Sequence, residues 1–321
     1  MLLDDRFSGE AKTILDASCL TMVNGLVGTF VVCQVVLGDE SALATQAAMG
    51  TLISALRLLV NLADSSYEWC LPILRNPFAL PTLLRVISSY RPVPLDPTIE
   101  SSSAHTEAEA NKLDVMCLAL ALVTSIVQEA KQGKVQISKM MDPSCKFTRS
   151  CLKGCHCVGR IGAVESLVRL YLDQTERSRD LSNAEATFLK GHLAILLGLL
   201  CDDRNAANRT AILELLPGDS SHSKLETWIE TIRDFVGLYA DLARRFVRAV
   251  QDAKSGPSHG QEADGSDDGN DNDVQIGLPD PRDTTGATSG GIFVKHAEAS
   301  EKGVELANRV MAILQSAQRD L

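Results

Sequence analysis

LLVNLAD, residues Leu58 to Asp64, returns later in the chain as LLGLLCD, residues Leu196 to Asp202. At both places an apolar helical run ends in polar residues, and a second helical run follows within a few positions. A unit of that kind buries its apolar face only by stacking on the next unit, which is the logic of a helical repeat. The two copies share no regular period with the rest of the chain. The echo therefore predicts an all-α chain of irregular repeats.

Outward from the first copy, Ser41 to Asp64 carries Leu52, Leu56, Leu59 and Leu62 along one helical face. Tyr67 to Tyr90 is apolar but interrupted by Pro72, Pro77 and Pro81, so it predicts two or three short helices. Pro92, Pro94 and Pro97, with the serines to Ser103, predict a surface loop. Ala108 to Ala130 is apolar nearly all round, as in a helix buried between neighbours. Lys131 to Cys157 is polar and reads as an inserted loop. Helices are then expected at Ile161 to Glu176, Ala184 to Cys201 and Arg204 to Leu216, the last stopped by Pro217-Gly218.

The most amphipathic element runs from Leu225 to Val250, where Trp228, Ile232, Phe235, Tyr239, Leu242 and Phe246 fall on one stripe. Residues 255–291 are rich in Gly, Asp, Ser and Pro and poor in large apolar side chains, so they predict a disordered linker. From Lys254 to Asp283 there are eight acidic residues against Lys254 and Arg282, a net of −6 out of −10 for the chain. A C-terminal helix within 292–321 carries Val304, Leu306, Val310, Met311, Ile313 and Leu314, and is expected to dock back on the domain or to bind a partner. The expected organisation is a helical-repeat domain at 1–254 with a Cys-rich insertion at 132–157, then the linker, then the helix. Its architecture is expected to be armadillo/HEAT-like, an irregular α-solenoid.

Composition narrows the function. Hydrophobic residues make up 45% of the 321, enough for a sizeable core, while aromatics are only 4%. The acidic balance argues against binding nucleic acid by broad phosphate neutralisation. Nine cysteines, several inside apolar runs, fit reduced thiols in the cytosol or nucleus. Cys19 to Gly38 lacks charge and approaches bilayer length, but Asn24, Gln34, three glycines and the flanking acids favour a buried helix over a membrane span.

Motifs for chemistry are weak. Cys145, Cys151, Cys155 and Cys157 hold enough soft ligands for a structural zinc, but without a CxxC pair reduced loop thiols are the stronger expectation, and no cofactor is expected. Asp264, Ser266 and Asp268 imitate the start of an EF-hand, yet Gln275 stands where a bidentate Glu is needed. His192 has no nucleophile or carboxylate placed beside it by sequence. Phosphate loops, HExxH and GxSxG are absent from the sequence, so an enzyme is not expected. Candidate partner contacts are the polar residues after the two echoed helices: Asp202, Asp203, Arg204, Asn205, Asn208 and Arg209, with Asn61 and Asp64. Helix capping is an equal expectation for any one of them.

The run FLKGHLAILLGLLCDDRNAANRTAILELLPGDSSHSKLETWIETIRDFVGLYADL, Phe188 to Leu242, resembles the C-terminal part of Wings apart-like (Wapl) proteins. The shared order is a Leu-rich helix, an Asn-containing turn, a helix ending in Leu-Pro-Gly, and a long helix with a Phe near its middle. A looser likeness extends to LRLLVNLAD from Leu56 and to the Cys-rich insertion. The resemblance implies a nuclear helical-repeat protein that releases cohesin from chromatin and so controls sister-chromatid cohesion. The implied partners are cohesin subunits and their HEAT-repeat accessory proteins. An adaptor for an unrelated protein or peptide is the alternative expectation, and a zinc-stabilised module centred on the cysteine cluster a third.

Overall fold

The computed structural model describes residues 20–33, 42–64, 66–89, 103–140, 161–179, 184–201, 206–254 and 289–320. Within them every regular element is a helix: α1 (Leu20–Cys33), α2 (Ala42–Ala63), α3 (Tyr67–Arg75), α4 (Ala79–Ser89), α5 (Ser103–Glu129), α6 (Lys131–Lys139), α7 (Ala163–Arg177), α8 (Ala184–Leu200), α9 (Ala206–Leu215), α10 (Ser221–Lys254) and α11 (Ser289–Arg319). The chain is therefore all-α. It divides into two compact units, one of Met1–Ile232 with Arg309–Leu321, the other of Arg233–Asn308.

In the first unit α5 is the helix on which the others converge, since α2, α3, α4, α6 and α8 all pack against it. Its middle explains why: Val115, Met116, Ala119, Leu120, Leu122, Val123, Ile126 and Val127 are buried across a broad face, and Cys117, Leu118, Ala121 and Ser125 on the rest of the circumference are half-buried. Each such aliphatic side chain contributes about 1.5–3 kcal/mol when fully removed from water. Contacts recur between helices three apart, α2 with α5, α5 with α8, and α4 with α7. The hydroxyls of Tyr171 on α7 and Thr231 on α10 lie 3.2 Å apart in a buried hydrogen bond, which adds a further contact at that spacing.

Bilayer-length apolar windows occur in α2 and α5, at Gln46–Ala63 and Asn111–Glu129, and half of the latter is buried inside the protein. The charge-free stretch around α1 forms a helix that buries Val23, Val27, Phe30 and Cys33 along one face.

The breaks follow the local chemistry. Between α3 and α4 the chain turns at Asn76-Pro77-Phe78, where the Asn76 side-chain oxygen accepts the Phe78 N–H at 3.0 Å. After α9, Leu216-Pro217-Gly218 ends the helix, and Gly218 takes a φ of +135°, which side-chain-bearing residues rarely adopt. The Ser220 hydroxyl then accepts the Ser223 N–H at 3.1 Å, capping the start of α10. Trp228 is buried, and its indole N–H donates to the Ala194 carbonyl of α8 at 3.0 Å.

One segment differs from its sequence reading. Lys131 to Lys139 is not loop but α6, packed between α5 and α7. Its apolar pattern is too sparse to announce a helix. What holds it is Ile137, fully buried, and Gly133, where an added Cβ would approach the Ile126 Cγ2 and carbonyl oxygen to 3.0 and 3.2 Å. The remainder of the Cys-rich insertion and the 255–288 part of the expected linker lie outside the described residues.

In the second unit the rings of Phe235 and Tyr239 on α10 meet edge to face, with centroids 4.9 Å apart. Gly303 of α11 lies beside Tyr239, such that a Cβ there would sit 3.9 Å from the ring edge.

Because α5 supports so many neighbours, Leu120→Ala is expected to lower unfolding stability by about 2–5 kcal/mol. Leu58→Ala, at a side chain 44% exposed on α2, is expected to cost less than about 1 kcal/mol. Urea unfolding of the two variants tests the ranking, and equal losses would contradict the central place of α5.

Candidate interaction surface

The polar residues singled out by sequence fall into different environments. Asp202, Asp203, Arg204 and Asn205 lie outside the described residues, as do Cys145, Cys151, Cys155 and Cys157. Asn208 is buried, and its side-chain amide donates to the carbonyl of Leu200, the last residue of α8, at 3.2 Å. A helix leaves its final carbonyls without intrahelical donors, and Asn208 supplies one from the following helix. Its role is structural. Arg209 is half-buried and its charge reaches the Cys201 thiol.

Asn61 and Asp64 are exposed at the end of α2. Asn61 closes an outward stripe of Ala47, Thr51, Ser54 and Leu58, all exposed and spaced at three and four residues. The Thr51 hydroxyl donates to the Ala47 carbonyl at 2.8 Å and the Ser54 hydroxyl to the Gly50 carbonyl at 2.9 Å. With those hydroxyls turned onto their own backbone, the stripe presents small, uncharged groups that another helix can approach closely. Arg57 flanks it and reaches Asp114 of α5 at 3.4 Å.

A second exposed feature carries no sequence pattern to announce it. Phe78 is 53% exposed at the α3–α4 turn. Besides the bond from Asn76 that fixes the turn, the Asn76 amide donates to the Asn24 side-chain oxygen of α1 at 2.9 Å. An exposed aromatic on a turn braced from two directions is pre-organised to enter a partner's pocket. Only the Asn-Pro pair hints at this turn in the sequence.

The titratable groups of the interior are arranged for inertness. Burial pushes the thiols of Cys70, Cys117 and Cys201 up to about 12, helped by Glu129 at Cys70 and by Asp114 and Glu185 at Cys117. Thiols so raised hold almost no thiolate near neutral pH and are poor nucleophiles. His192 sits on α8 with its ring against Phe188, centroids 4.5 Å apart. Burial holds its imidazole down to about 4, so it stays neutral at physiological pH. A shallow apolar notch between α4 and α7 is lined by Leu84, Ile87, Ala163, Leu167 and Leu170, with Ser88 and Ser166. Among the described residues no group of three or more His, Cys, Asp or Glu is placed to hold a metal ion.

No model of a known protein family matches this sequence, and no curated protein matches it either.

Asn208→Ala is expected to destabilise the fold by roughly 1–2 kcal/mol through the stranded Leu200 carbonyl, whereas Asn61→Ala stays within about 0.5 kcal/mol. Chemical unfolding of both decides which of the two is free for a partner.

His192 gives a pH dependence whose sign follows from its depressed basicity. An unfolded imidazole takes up a proton near 6.5, the folded one only near 4. Stability is therefore full above about 6.5 and erodes as pH falls from there toward 4, by on the order of 1–2 kcal/mol at pH 5. His192→Leu is expected to flatten that part of the stability–pH curve, and an unchanged slope would place its origin elsewhere.

Proposed function

We propose that this chain is a non-enzymatic protein-binding scaffold built from armadillo-type three-helix repeats. The observation that carries the reading is the recurrence of contacts between helices three apart, α2 with α5, α5 with α8, and α4 with α7. The order of lengths supports it. A helix of 9 residues, one of 11 and one of 27 (α3, α4, α5) are followed by helices of 9, 15 and 17 (α6, α7, α8). In such a repeat the long third helices pack in a row, and outward faces of the end helices and the turns remain for partners. The uncharged stripe of α2 and the exposed Phe78 fit that use.

Within this class the reading is a Wapl-like nuclear regulator that promotes release of cohesin from chromatin. Its support is the resemblance of Phe188 to Leu242, a run whose helices follow the same order: α8, then α9 ending just before Leu216-Pro217-Gly218, then the long α10 with Phe235 midway along the matched part. A scaffold with no chemistry of its own acts by binding one state of its partner better than another. A release factor of this kind holds the open state of the ring more tightly than the closed one. The partners in this reading are cohesin core subunits and their HEAT-repeat accessory proteins, with no cofactor and no direct contact to DNA.

The test is a pull-down of the purified full chain against purified cohesin core and accessory subunits. Two variants run alongside it: the double charge reversal Asp202→Lys/Asp203→Lys, and Ser54→Arg, which places a bulky charge on the α2 stripe. Retention of cohesin by the unmodified chain, lost in one variant, is the expected outcome and identifies the contacting surface. A chain with a native helical circular dichroism spectrum that retains no cohesin overturns the release-factor reading, and the adaptor for an unrelated partner takes its place.

A further inference from the structure

Two aromatic side chains among the described residues stand well out into solvent, and both belong to one short element. Tyr67, the first residue of α3, is 45% exposed, and Phe78, just beyond the end of that helix, is 53% exposed. Every other aromatic ring whose exposure is described is buried or half-buried. Between the two, Glu68, Leu71 and Arg75 follow at steps of three and four and form one outward stripe along α3. Cys70, Pro72, Ile73 and Leu74 are buried on the rest of the helix. The turn that carries Phe78 is fixed by Asn76, whose side chain bonds both the Phe78 N–H and Asn24, so the ring is displayed at a set position.

Glu68 and Arg75 are exposed, and among the described residues neither makes an ion pair. They stand two turns apart, about 10 Å along the axis, whereas charges on one helix pair at spacings of three and four residues. The helix dipole favours an acid in the first turn and a base in the last, which accounts for the order of the two charges. It does not account for an exposed aromatic ring beside each of them. Leu71 lies three residues after Glu68 and four before Arg75, close to the middle of the stripe. A stripe with an acid at one end, a base at the other and an apolar centre is complementary to itself read in the opposite direction.

We propose that α3 is the surface through which two copies of this chain associate. The copies pack antiparallel about a two-fold axis near Leu71. Glu68 of each meets Arg75 of the other, the two Leu71 side chains face one another, and Tyr67 of each lies toward Phe78 of the other. A two-fold contact needs this property, that the residue touched by a given side chain touches the same side chain in return. The antiparallel order also sets the two helix dipoles against each other favourably. α3 has nine residues and is about 14 Å long, so with its turn the patch falls short of the roughly 800 Å² per partner of a stable interface. The dimer is therefore weak and reversible, and its two ion pairs make it sensitive to salt. This surface does not depend on the cohesin reading and survives its failure.

Sedimentation equilibrium of the full chain tests the pairing. The unmodified chain is expected to pass from monomer to dimer with a dissociation constant on the order of 10–100 μM. Glu68→Arg and Arg75→Glu each set like charges against one another at both contacts, and either is expected to weaken the dimer at least about tenfold. Mixed in equal amounts, the two variants are expected to regain association as a one-to-one heterodimer, because one presents two bases on the stripe and the other two acids. The double variant Glu68→Arg/Arg75→Glu is expected to regain it alone. Phe78→Ser, outside the helix, is expected to weaken the dimer by a similar factor and takes over should either charge variant fail to fold. A chain that stays monomeric up to about 1 mM overturns the proposal and leaves the face to another protein. Association unchanged in the charge variants or in Phe78→Ser places the contact elsewhere and overturns it too. So does association lost in both charge variants and not recovered on mixing, since the two charges then do not meet.

Discussion

A helix as apolar as the middle of α5 is not stable in water by itself. From Val115 to Val127 a broad face is fully buried and the remainder is half-buried, so this stretch gains its stability only when α2, α3, α4, α6 and α8 pack on it. The neighbours depend on it in turn. Short helices such as α3 and α6, nine residues each, are marginal alone and gain their stability from tertiary packing. The unit that includes α5 is for this reason cooperative: no layer can leave without exposing the side of α5 that it covers.

Packing helices so closely brings many helix ends into the interior, and the polar side chains near them are consumed in satisfying backbone groups. Asn208 answers the Leu200 carbonyl, and the Lys224 ammonium answers the Leu213 carbonyl at 2.6 Å. These contacts explain why polarity after a helix is a poor guide to a binding site in this fold. The outward surface offers the hydroxyl-lined but uncharged face of α2 and the braced turn that displays Phe78.

Helix positions were the most legible feature of the sequence because spacing of apolar residues reports directly on which face is buried. The runs around Leu56, Leu120, Leu196 and Trp228 all lie in helices, and the proline-broken segment is indeed two, with Pro77 at the break and Pro72 accommodated inside α3. α6 escaped because its helicity rests on one isoleucine and on a glycine fitted against Ile126, neither of which makes a periodic pattern. Of the contacts between helices three apart, the sequence carries only an echo between two helix ends. The contacts three helices apart are formed by side chains distant in sequence, and no local pattern encodes them. The candidate site was legible in residue type alone: asparagines after helices looked alike in sequence, yet burial divides Asn208 from Asn61.

Among the described residues the cysteines are distributed one to a helix, Cys33 in α1, Cys70 in α3 and the half-buried Cys117 in α5, with Cys201 at the end of α8. With their thiols raised by burial, each is silent toward alkylating reagents while its own layer is closed. The chain therefore carries a built-in set of clocks. The rate at which each thiol becomes modifiable measures how often its layer opens, and the spread of the four rates distinguishes fraying from the ends from a single concerted unfolding.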